Sequence, residues 1–326
     1  MPVMLCQSAA FLAVRVLLQR YAASDAQVLI EGETGTGKEL AAREIHYSSA
    51  RRDQPFVPVN CGAMQDNLIE SELFGHSKGA FTDAKQAQVG LVEHARGGTL
   101  FLDEVDTLSR KAQVTLLRFL QDSEYRPVGG TVRTSAARII AATNRHLGQL
   151  ALDGDFRTDL LYRLNALYVH LPPLRERDGD VTVLAEHFLA ATARRMDGAP
   201  CHWTTDALRA LAAYTWPGNV RELENVVLRV YTLADSATIG LQELLMAEPA
   251  IGGAGHRLRD GQLYAGASFR HAKACAMERF EQDYLTRLLQ QANGNVTEAA
   301  KLAGKERRSL GKLLKKYHIE RAPHRS

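Results

Sequence analysis

The sequence predicts an α/β chain, a mainly parallel sheet with helices around it, that passes into all-helical units toward its C-terminus. Three observations carry this reading. Between residues 28 and 172, short β-branched or apolar runs alternate with helical patterns. Pro172-Pro173 closes the last run, after which the periodicity is helical to about Ala247. A glycine-rich stretch then precedes a basic helical segment at the end of the chain.

Taken in order, the expected strands are Val28-Leu29-Ile30, Phe56-Val57-Pro58-Val59, Thr99-Leu100-Phe101-Leu102, Arg138 to Ala142, and Leu167 to Leu171. Each is short and bounded by turn residues, as buried parallel strands are. From Leu174 onward, Leu184, Phe188 and Leu189, then Leu208, Leu211 and Ala212, repeat at helical spacing. The segment Pro249 to Ser268 holds five glycines (Gly252, Gly253, Gly255, Gly261, Gly266) and is expected to be a flexible linker. Beyond it, Phe280, Tyr284, Leu288 and Leu289 fit one helix face and Asn293-Gly294 ends that helix. Asn295 with Glu298 reads as the cap of a second helix. Gly304 breaks to a third, in which Leu310, Leu313, Leu314 and Tyr317 share a face. The expected divisions are 1–173, 174–248, the linker 249–268, and 269–326.

Composition narrows the function classes. The chain has 326 residues, 45% hydrophobic and 24% charged, which excludes a disordered or collagen-like polymer. The apolar run Phe11 to Leu18 is broken by Arg15 and too short to span a bilayer, so neither membrane association nor export is expected and the location is expected to be cytoplasmic. Cys6, Cys61, Cys201 and Cys275 lie far apart, without the spacing of a zinc site or a disulfide framework. The net charge of +3 conceals a basic end: Gly294 to Ser326 carries nine Lys or Arg against three acids. A polyanion would bind there.

Two motifs carry chemistry. After the first strand comes Gly32-Glu33-Thr34-Gly35-Thr36-Gly37-Lys38-Glu39, then a helical run. Glycines let backbone N–H groups fold around phosphate oxygens, the helix N-terminus favours negative charge, and Lys38 reaches the β and γ phosphates. This is a Walker A loop, with Glu39 where a magnesium-binding hydroxyl usually stands. Further on, the strand Thr99 to Leu102 delivers Asp103 and Glu104 at its C-terminal end. Asp103 is suited to hold Mg2+, and Glu104 to orient and deprotonate water. The two motifs in this order specify an ATPase using ATP and Mg2+.

The chain resembles the bacterial sigma-54-dependent transcription activators (enhancer-binding proteins), AAA+ ATPases of the NtrC type. The residues that carry the resemblance run from about Ser8 to Ile319. They are the Walker A loop with its acidic Glu39, Glu72 to Ala84, Phe156 to Leu164, and Trp216 to Asn225. The resemblance implies an AAA+ P-loop domain, a helical lid, and a C-terminal Fis-type helix-turn-helix. It also implies roles by position. Asn60 matches a switch asparagine that holds Glu104 aside; a strand-end turn residue is the alternative. Thr143 and Asn144 match the sensor I position near the γ-phosphate. Arg157 and Arg163 match the arginine-finger region acting on a neighbouring subunit's ATP. Six residues of helix turn by about 600°, so these two cannot share a face and one of them could be an interface salt-bridge partner. Arg221 matches sensor II, or is a solvated helix charge. Glu39 and Asp103 are the expected metal ligands.

The segment Gly79-Ala80-Phe81-Thr82-Asp83-Ala84 resembles the loop that touches sigma-54, with Asp83 where the family usually has glycine. Arg307, Arg308, Lys312, Lys315 and Lys316 are the expected DNA contacts. The implied partners are sigma-54 RNA polymerase, double-stranded enhancer DNA, and further copies of the chain or a paralogue in a hexameric ring. The stretch ahead of Val28 is too short for a receiver or ligand-sensing domain, so regulation is expected in trans, by an inhibitory or co-activating protein, or through expression level. The competing reading is a DNA-binding regulator that uses the AAA+ scaffold for assembly without productive sigma-54 contact. An ATPase acting on DNA itself would leave Phe81-Thr82 unexplained.

Overall fold

The computed structural model describes residues 4–64, 68–80 and 86–252, together with parts of a helical unit within 281–316. Two compact units divide the chain, Met1–Ala254 and Gly255–Ser326.

All five expected strands form: β1 (Val28–Glu31), β2 (Phe56–Asn60), β3 (Thr99–Asp103), β4 (Arg138–Thr143) and β5 (Leu167–His170). They make one parallel sheet in the order β2-β3-β4-β1-β5. Alternate residues of β1 enter different cores: Leu29 packs with Leu100, Leu102 and Ala141 on one face, Val28 and Ile30 with Phe101 and Ile140 on the other. Helices cover both faces. On the second lie α1 (Ala9–Ala22) and α2 (Lys38–Tyr47). The run Phe11 to Leu18 belongs to α1, whose buried Phe11, Val14, Leu18 and Ala22 recur at helical spacing and whose start is capped by the Ser8 hydroxyl. On the first face lie α3 (Ile69–Phe74), α4 (Leu91–His94), α5 (Arg110–Asp122), α6 (Leu147–Leu152) and α7 (Thr158–Leu164).

This order puts the C-terminal end of β1 between β4 and β5. In open parallel sheets the crevice beyond the strand ends at such a point is where ligands bind. It also brings the ends of β2, β3 and β4 side by side, with Asn60 opposite Asp103.

The rest of the first unit is a helical lid of α8 (Asp180–Arg195), α9 (Thr205–Ala213), α10 (Asn219–Leu233) and α11 (Leu241–Ala247), closed around buried Trp216, Leu223, Val226 and Val227. The purely helical expectation for 174–247 needs one correction. His202–Trp203 and Thr238–Ile239 pair as a parallel ladder of two residues each, too short to leave any periodicity in the sequence.

In the second unit, the Asn295 side chain accepts hydrogen bonds from the N–H groups of Thr297 and Glu298 and caps α12 (Val296–Leu302). Gly304 takes φ +60°, and α13 (Arg307–Lys316) follows. Leu285, Leu288, Leu289, Ala292, Ala299, Leu310 and Leu314 form its core. Tyr284 stands outside that face at 42% exposure, because the buried stripe runs through Leu285, Leu288, Leu289 and Ala292. Phe280, Asn293, Gly294, Tyr317 and most of the expected linker lie outside the described residues. Cys6, Cys61 and Cys201 are free thiols. No helix among the described residues is long and apolar enough to cross a membrane.

Candidate functional site

The loop between β1 and α2 is shaped by its glycines. Gly35 and Gly37 take φ +79° and +98°, the left-handed region that L side chains avoid. Gly35 has a second constraint, since a Cβ there would collide with the carbonyl oxygen of Gly218 in the lid. Gly37 opens α2, so the first N–H groups of that helix face the loop. The Lys38 ammonium donates to the carbonyls of Gly32 (2.8 Å) and Glu33 (3.1 Å), and the Thr36 hydroxyl to Glu33 (2.8 Å). Burial draws the Lys38 ammonium below its ordinary value, while Asp103, Asp106 and Glu104 pull the other way.

Remote residues fix the other side of this loop. Asn219 is fully buried at the start of α10, with φ +53°. Its amide donates to Glu33 Oε2 (3.1 Å) and the Thr34 carbonyl (3.0 Å), and its Oδ1 accepts from the Leu174 N–H (2.7 Å). Val220 N–H donates to the Gly35 carbonyl at 3.0 Å. Arg175 grips the Glu33 carboxylate through both its terminal nitrogens at 2.5 and 2.9 Å. That pair, ahead of the Asn219 amide, draws the Glu33 carboxyl down from 4.5 to about 2. The buried Arg177 donates to the Thr36 carbonyl (2.9 Å) and lies 4.0 Å over the Phe11 ring. Burial lowers it to about 10, partly offset by Asp180. Asp180, at the head of α8, accepts from the N–H groups of Gln7 and Ser8 and from the Ser8 hydroxyl. The segment before α1 is thus fastened to the lid. A narrow cavity of about 90 Å³ lies beside the loop, lined by Met4, Leu5, Thr36, Leu40 and Phe188. A wider one, about 830 Å³, sits in the lid among Leu189, Ala193 and Trp203 and contains none of the loop residues.

The end of β3 carries the carboxylates, between Asn60 at the end of β2 and Thr143-Asn144 at the end of β4. Burial pushes Asp103 above its ordinary value, against the pull of the Glu104 N–H and Lys38. Its Oδ1 accepts from that N–H at 3.0 Å. Glu104 has φ +55°, which few non-glycine residues adopt outside functional turns. Its carboxylate lies over Gly62, where a Cβ would meet Glu104 Oε2 at 2.8 Å and Asn60 Oδ1 at 3.2 Å. A side chain there would displace the Glu104 carboxylate from its place beside Asn60.

Several expected residues are placed otherwise than the sequence suggested. Asn60 does not hold Glu104 in this conformation; its Oδ1 accepts from the Ala63 N–H (3.2 Å) and caps the turn Cys61–Ala63, which is the alternative left open above. Thr143 does not face the phosphate side. It is fully buried and its hydroxyl donates to Asp106 (2.7 Å), with only its carbonyl meeting the loop, at the Gly32 N–H (3.2 Å), while the Asn144 side chain lies 3.4 Å from the Thr34 hydroxyl. Glu39 is not turned into the site as a free ligand but is paired with Arg43, one turn on, at 2.7 Å. Arg157 pairs with Asp159 at 2.7 Å, whereas Arg163 donates to the carbonyls of Leu120 and Gln121 at the end of α5. Arg157 is the extended N-cap of α7 and lies outside the helix, so the helical-face argument made from the sequence does not apply to the pair. Arg221 is exposed, yet its Cβ lies against Gly35 and its charge acts on Lys38. Gly79 and Ala80 are described, with Gly79 at φ +79°, whereas Phe81, Thr82, Asp83 and Ala84 are outside the described residues. The base below them is paired: Gly75 and His76 with Val89 and Gln88, Ser77 N–H to the Val128 carbonyl and Val128 N–H to Gly75, both 2.9 Å. Arg307 is exposed, and the side chains of Arg308, Lys312, Lys315 and Lys316 are outside the described residues.

Asn219, Arg175, Arg177 and Asp106 were not singled out in the sequence as site residues. Asn219 lies inside the Trp216 to Asn225 segment and the two arginines directly follow Pro172-Pro173. Nothing local marks them as partners of a loop about 140 to 185 positions away.

Comparison with known proteins matches residues 4–170, more than half of the chain, to the sigma-54 interaction domain, 175–249 to an AAA+ ATPase lid domain, and 276–317 to the Fis family of bacterial regulatory proteins. The transcriptional regulatory protein GlrR of Escherichia coli K12 is 42% identical over 300 residues, 92% of this chain and 64% of GlrR. The sigma-54-dependent transcriptional activator SfnR of Pseudomonas putida is 48% identical over 231 residues, 71% of this chain and 63% of SfnR. The chain therefore spans less than two thirds of the length of either relative. Among solved structures, NtrX of Brucella abortus in complex with ADP superposes with a TM-score of 0.71 at 32% identity, covering 97% of this chain and 70% of that one. NtrX with ATP gives 0.70 at 33%, covering 98% and 70%.

Proposed function

This chain belongs to the sigma-54 interaction family of AAA+ ATPases, with an AAA+ lid and a Fis-type helix-turn-helix, and from that membership we propose that it hydrolyses ATP to remodel closed promoter complexes of sigma-54 RNA polymerase. The observation that carries the proposal is the convergence of one rim. The phosphate loop, the Asp103-Glu104 pair and Asn144 meet at the C-terminal ends of β1, β3 and β4, and the lid closes on the same loop.

In this reading the glycine loop and Lys38 hold the triphosphate, and the apolar slot beside Met4 and Leu40 takes the base. Glu104 draws the proton from water, while Asn144 and Arg221 face the phosphate chain. Mg2+ fits at Asp103, whose carboxylate stands at the rim with Oδ2 uncommitted. No group of three His, Cys, Asp or Glu among the described residues forms a protein-only cage. Bound there, the ion would neutralise charge on the transferring phosphoryl group. Glu39, engaged by Arg43, is a lesser candidate.

Arg157 is proposed as the arginine given to a neighbouring subunit in a homo-oligomeric, hexameric ring. It is half-exposed and tied only to a surface aspartate, whereas Arg163 is spent on backbone carbonyls of its own chain. Gly79 to Ala84, standing on the paired base at Gly75 to Ser77, would present Phe81 and Thr82 to sigma-54. The basic third helix of the C-terminal unit would bind double-stranded enhancer DNA. The domain divisions near 173, 248 and 268 belong to the same proposal.

The test is open-complex formation on a sigma-54 promoter with the chain and ATP. The proposal predicts ATP-dependent opening that survives Asp83→Gly and is lost in Phe81→Ala and Thr82→Ala with ATPase activity retained. Opening only after Asp83→Gly would favour a regulator without productive sigma-54 contact, and no opening by either protein would remove the assignment.

A further inference from the structure

We infer that Asp106 is a positioning residue for hydrolysis: its hydrogen bond from Thr143 ties the nucleotide-facing end of β4 to the turn that carries Glu104. The inference rests on the proposed ATPase reading and adds to it a residue that neither motif contains.

Asp106 lies in the turn Val105–Thr107 that directly follows Glu104. The Thr143 hydroxyl donates to its Oδ1 at 2.7 Å, from a side chain with no exposed surface. That hydroxyl also has the Arg145 carbonyl within 3.0 Å. A hydroxyl has a single proton, and the charged acceptor competes better for it, so the carboxylate holds the proton and the Arg145 N–H, 3.1 Å away, donates to the oxygen. Thr143 is thereby fully used. Its place next to Asn144 then acquires a purpose. Successive residues at the end of β4 reach in two directions, Asn144 to the phosphate loop at Thr34 and Thr143 to the Glu104 turn.

The turn needs such a tie. Glu104 sits at φ +55°, a sparsely populated conformation that persists only when its surroundings hold it. Its local restraints are the Thr107 N–H and hydroxyl, both on the Glu104 carbonyl, and the Leu108 N–H on Val105. All of these lie within the turn and move with it. At its start the turn continues from β3, where the Glu104 N–H donates to Asp103 Oδ1; the Asp106–Thr143 bond is the tie that reaches across to β4. Asp106 is also close enough to the loop for its charge to act on Lys38.

Side-chain replacements separate this role from one of charge or folding. Asp106→Asn keeps an acceptor for Thr143 and removes the charge; Asp106→Ala removes both; Thr143→Val removes the donor and Thr143→Ser keeps it. Loss of one such bond in the transition state is expected to cost roughly tenfold in rate. We expect kcat for ATP to fall about tenfold in Asp106→Ala and in Thr143→Val with KM within about twofold, and the double variant to be no worse than either single one. Asp106→Asn and Thr143→Ser should keep at least about half of the wild-type rate. Hydrogen exchange at the amides of residues 104–108 should quicken in Asp106→Ala and Thr143→Val alone. A wild-type rate in Asp106→Ala, an Asp106→Asn as impaired as the alanine variant, or additive single effects would overturn the inference. If Asp106→Ala does not fold, the Thr143 pair carries the same test. Absence of turnover in the wild-type chain would instead remove the ATPase reading, leaving the exchange measurement to decide on the tie.

Discussion

The two sides of the phosphate loop are held in different ways. Facing the lid, Glu33, Thr34, Gly35 and Thr36 each have partners from residues 172–220: Arg175, Asn219, Val220 and Arg177. Facing the strand ends, Glu104 sits in an uncommon backbone conformation with its carboxylate over a glycine, and the Thr143 hydroxyl is the side-chain tie from its turn across to β4. The first side is pre-assembled and the second is poised. Pre-assembly suits binding, since fewer groups need ordering when the ligand arrives. A lightly held carboxylate suits turnover, in which one group must be placed only when the phosphate is in position.

Breaking the binding side should give the largest effects. Lys38→Ala removes the ammonium proposed to meet the phosphates and should abolish nucleotide binding, with more than about a hundredfold loss in a fluorescent-ADP titration. Asn219→Ala deletes three hydrogen bonds and leaves the buried Leu174 N–H without its acceptor. It should cost about 2–4 kcal/mol in chemical unfolding and weaken nucleotide binding. Asn219→Gly, which relaxes φ +53° but restores no partner, should recover only a part.

Arg175→Ala is the milder break. Its pair with Glu33 is partly exposed, so the stability change should stay under about 1 kcal/mol. The pH dependence has a definite sign. The Glu33 carboxyl lies at about 2 in the folded chain against an ordinary 4.5, so the pairing contributes fully above pH 4.5 and is lost as the pH falls toward 2. In Arg175→Ala, an NMR titration of Glu33 should move back toward 4.5. An unmoved titration would show that Asn219, not Arg175, sets it.

The smallest effect sharpens the poised side. Cys61 follows Asn60 at the end of β2, and burial, followed by the charges of Asp103, Asp106 and Glu104, pushes its thiol up to about 12. At pH 8 it should be alkylated far more slowly than Cys6 or Cys201, as peptide mass spectrometry would read out. Equal labelling would mean that the rim opens readily.

The poised side was largely legible in the sequence and the pre-assembled side was not. Asn60, Asp103-Glu104 and Thr143-Asn144 each end a strand recognisable from its own apolar run, and parallel strands end at the same edge of a sheet. What the sequence left open there was direction. Of two adjacent polar residues, Thr143 turned inward and Asn144 outward, a choice made by strand alternation and by the acceptor at Asp106. The lid contacts depend on how a helical unit docks, and the Glu33–Asn219 pair joins positions 186 residues apart. Asn219 by itself resembles any residue opening a helix. The two arginines of 157–163 were visible as a pair, but their division of labour rests on which acceptor stood near each, the Asp159 carboxylate or the carbonyls ending α5.

If the two sides are separable, one comparison tests it most directly: nucleotide affinity and steady-state turnover measured on the same preparations of wild-type chain and Glu104→Gln. If Glu104 is the proposed base, its replacement without disturbance of the loop should leave ADP and ATP affinity within about threefold of wild type and lower kcat by about a hundredfold or more. A Glu104→Gln protein that loses affinity in step with turnover, or that hydrolyses ATP at the wild-type rate, would contradict the assignment of binding to the loop and lid and of turnover to the strand-end carboxylate.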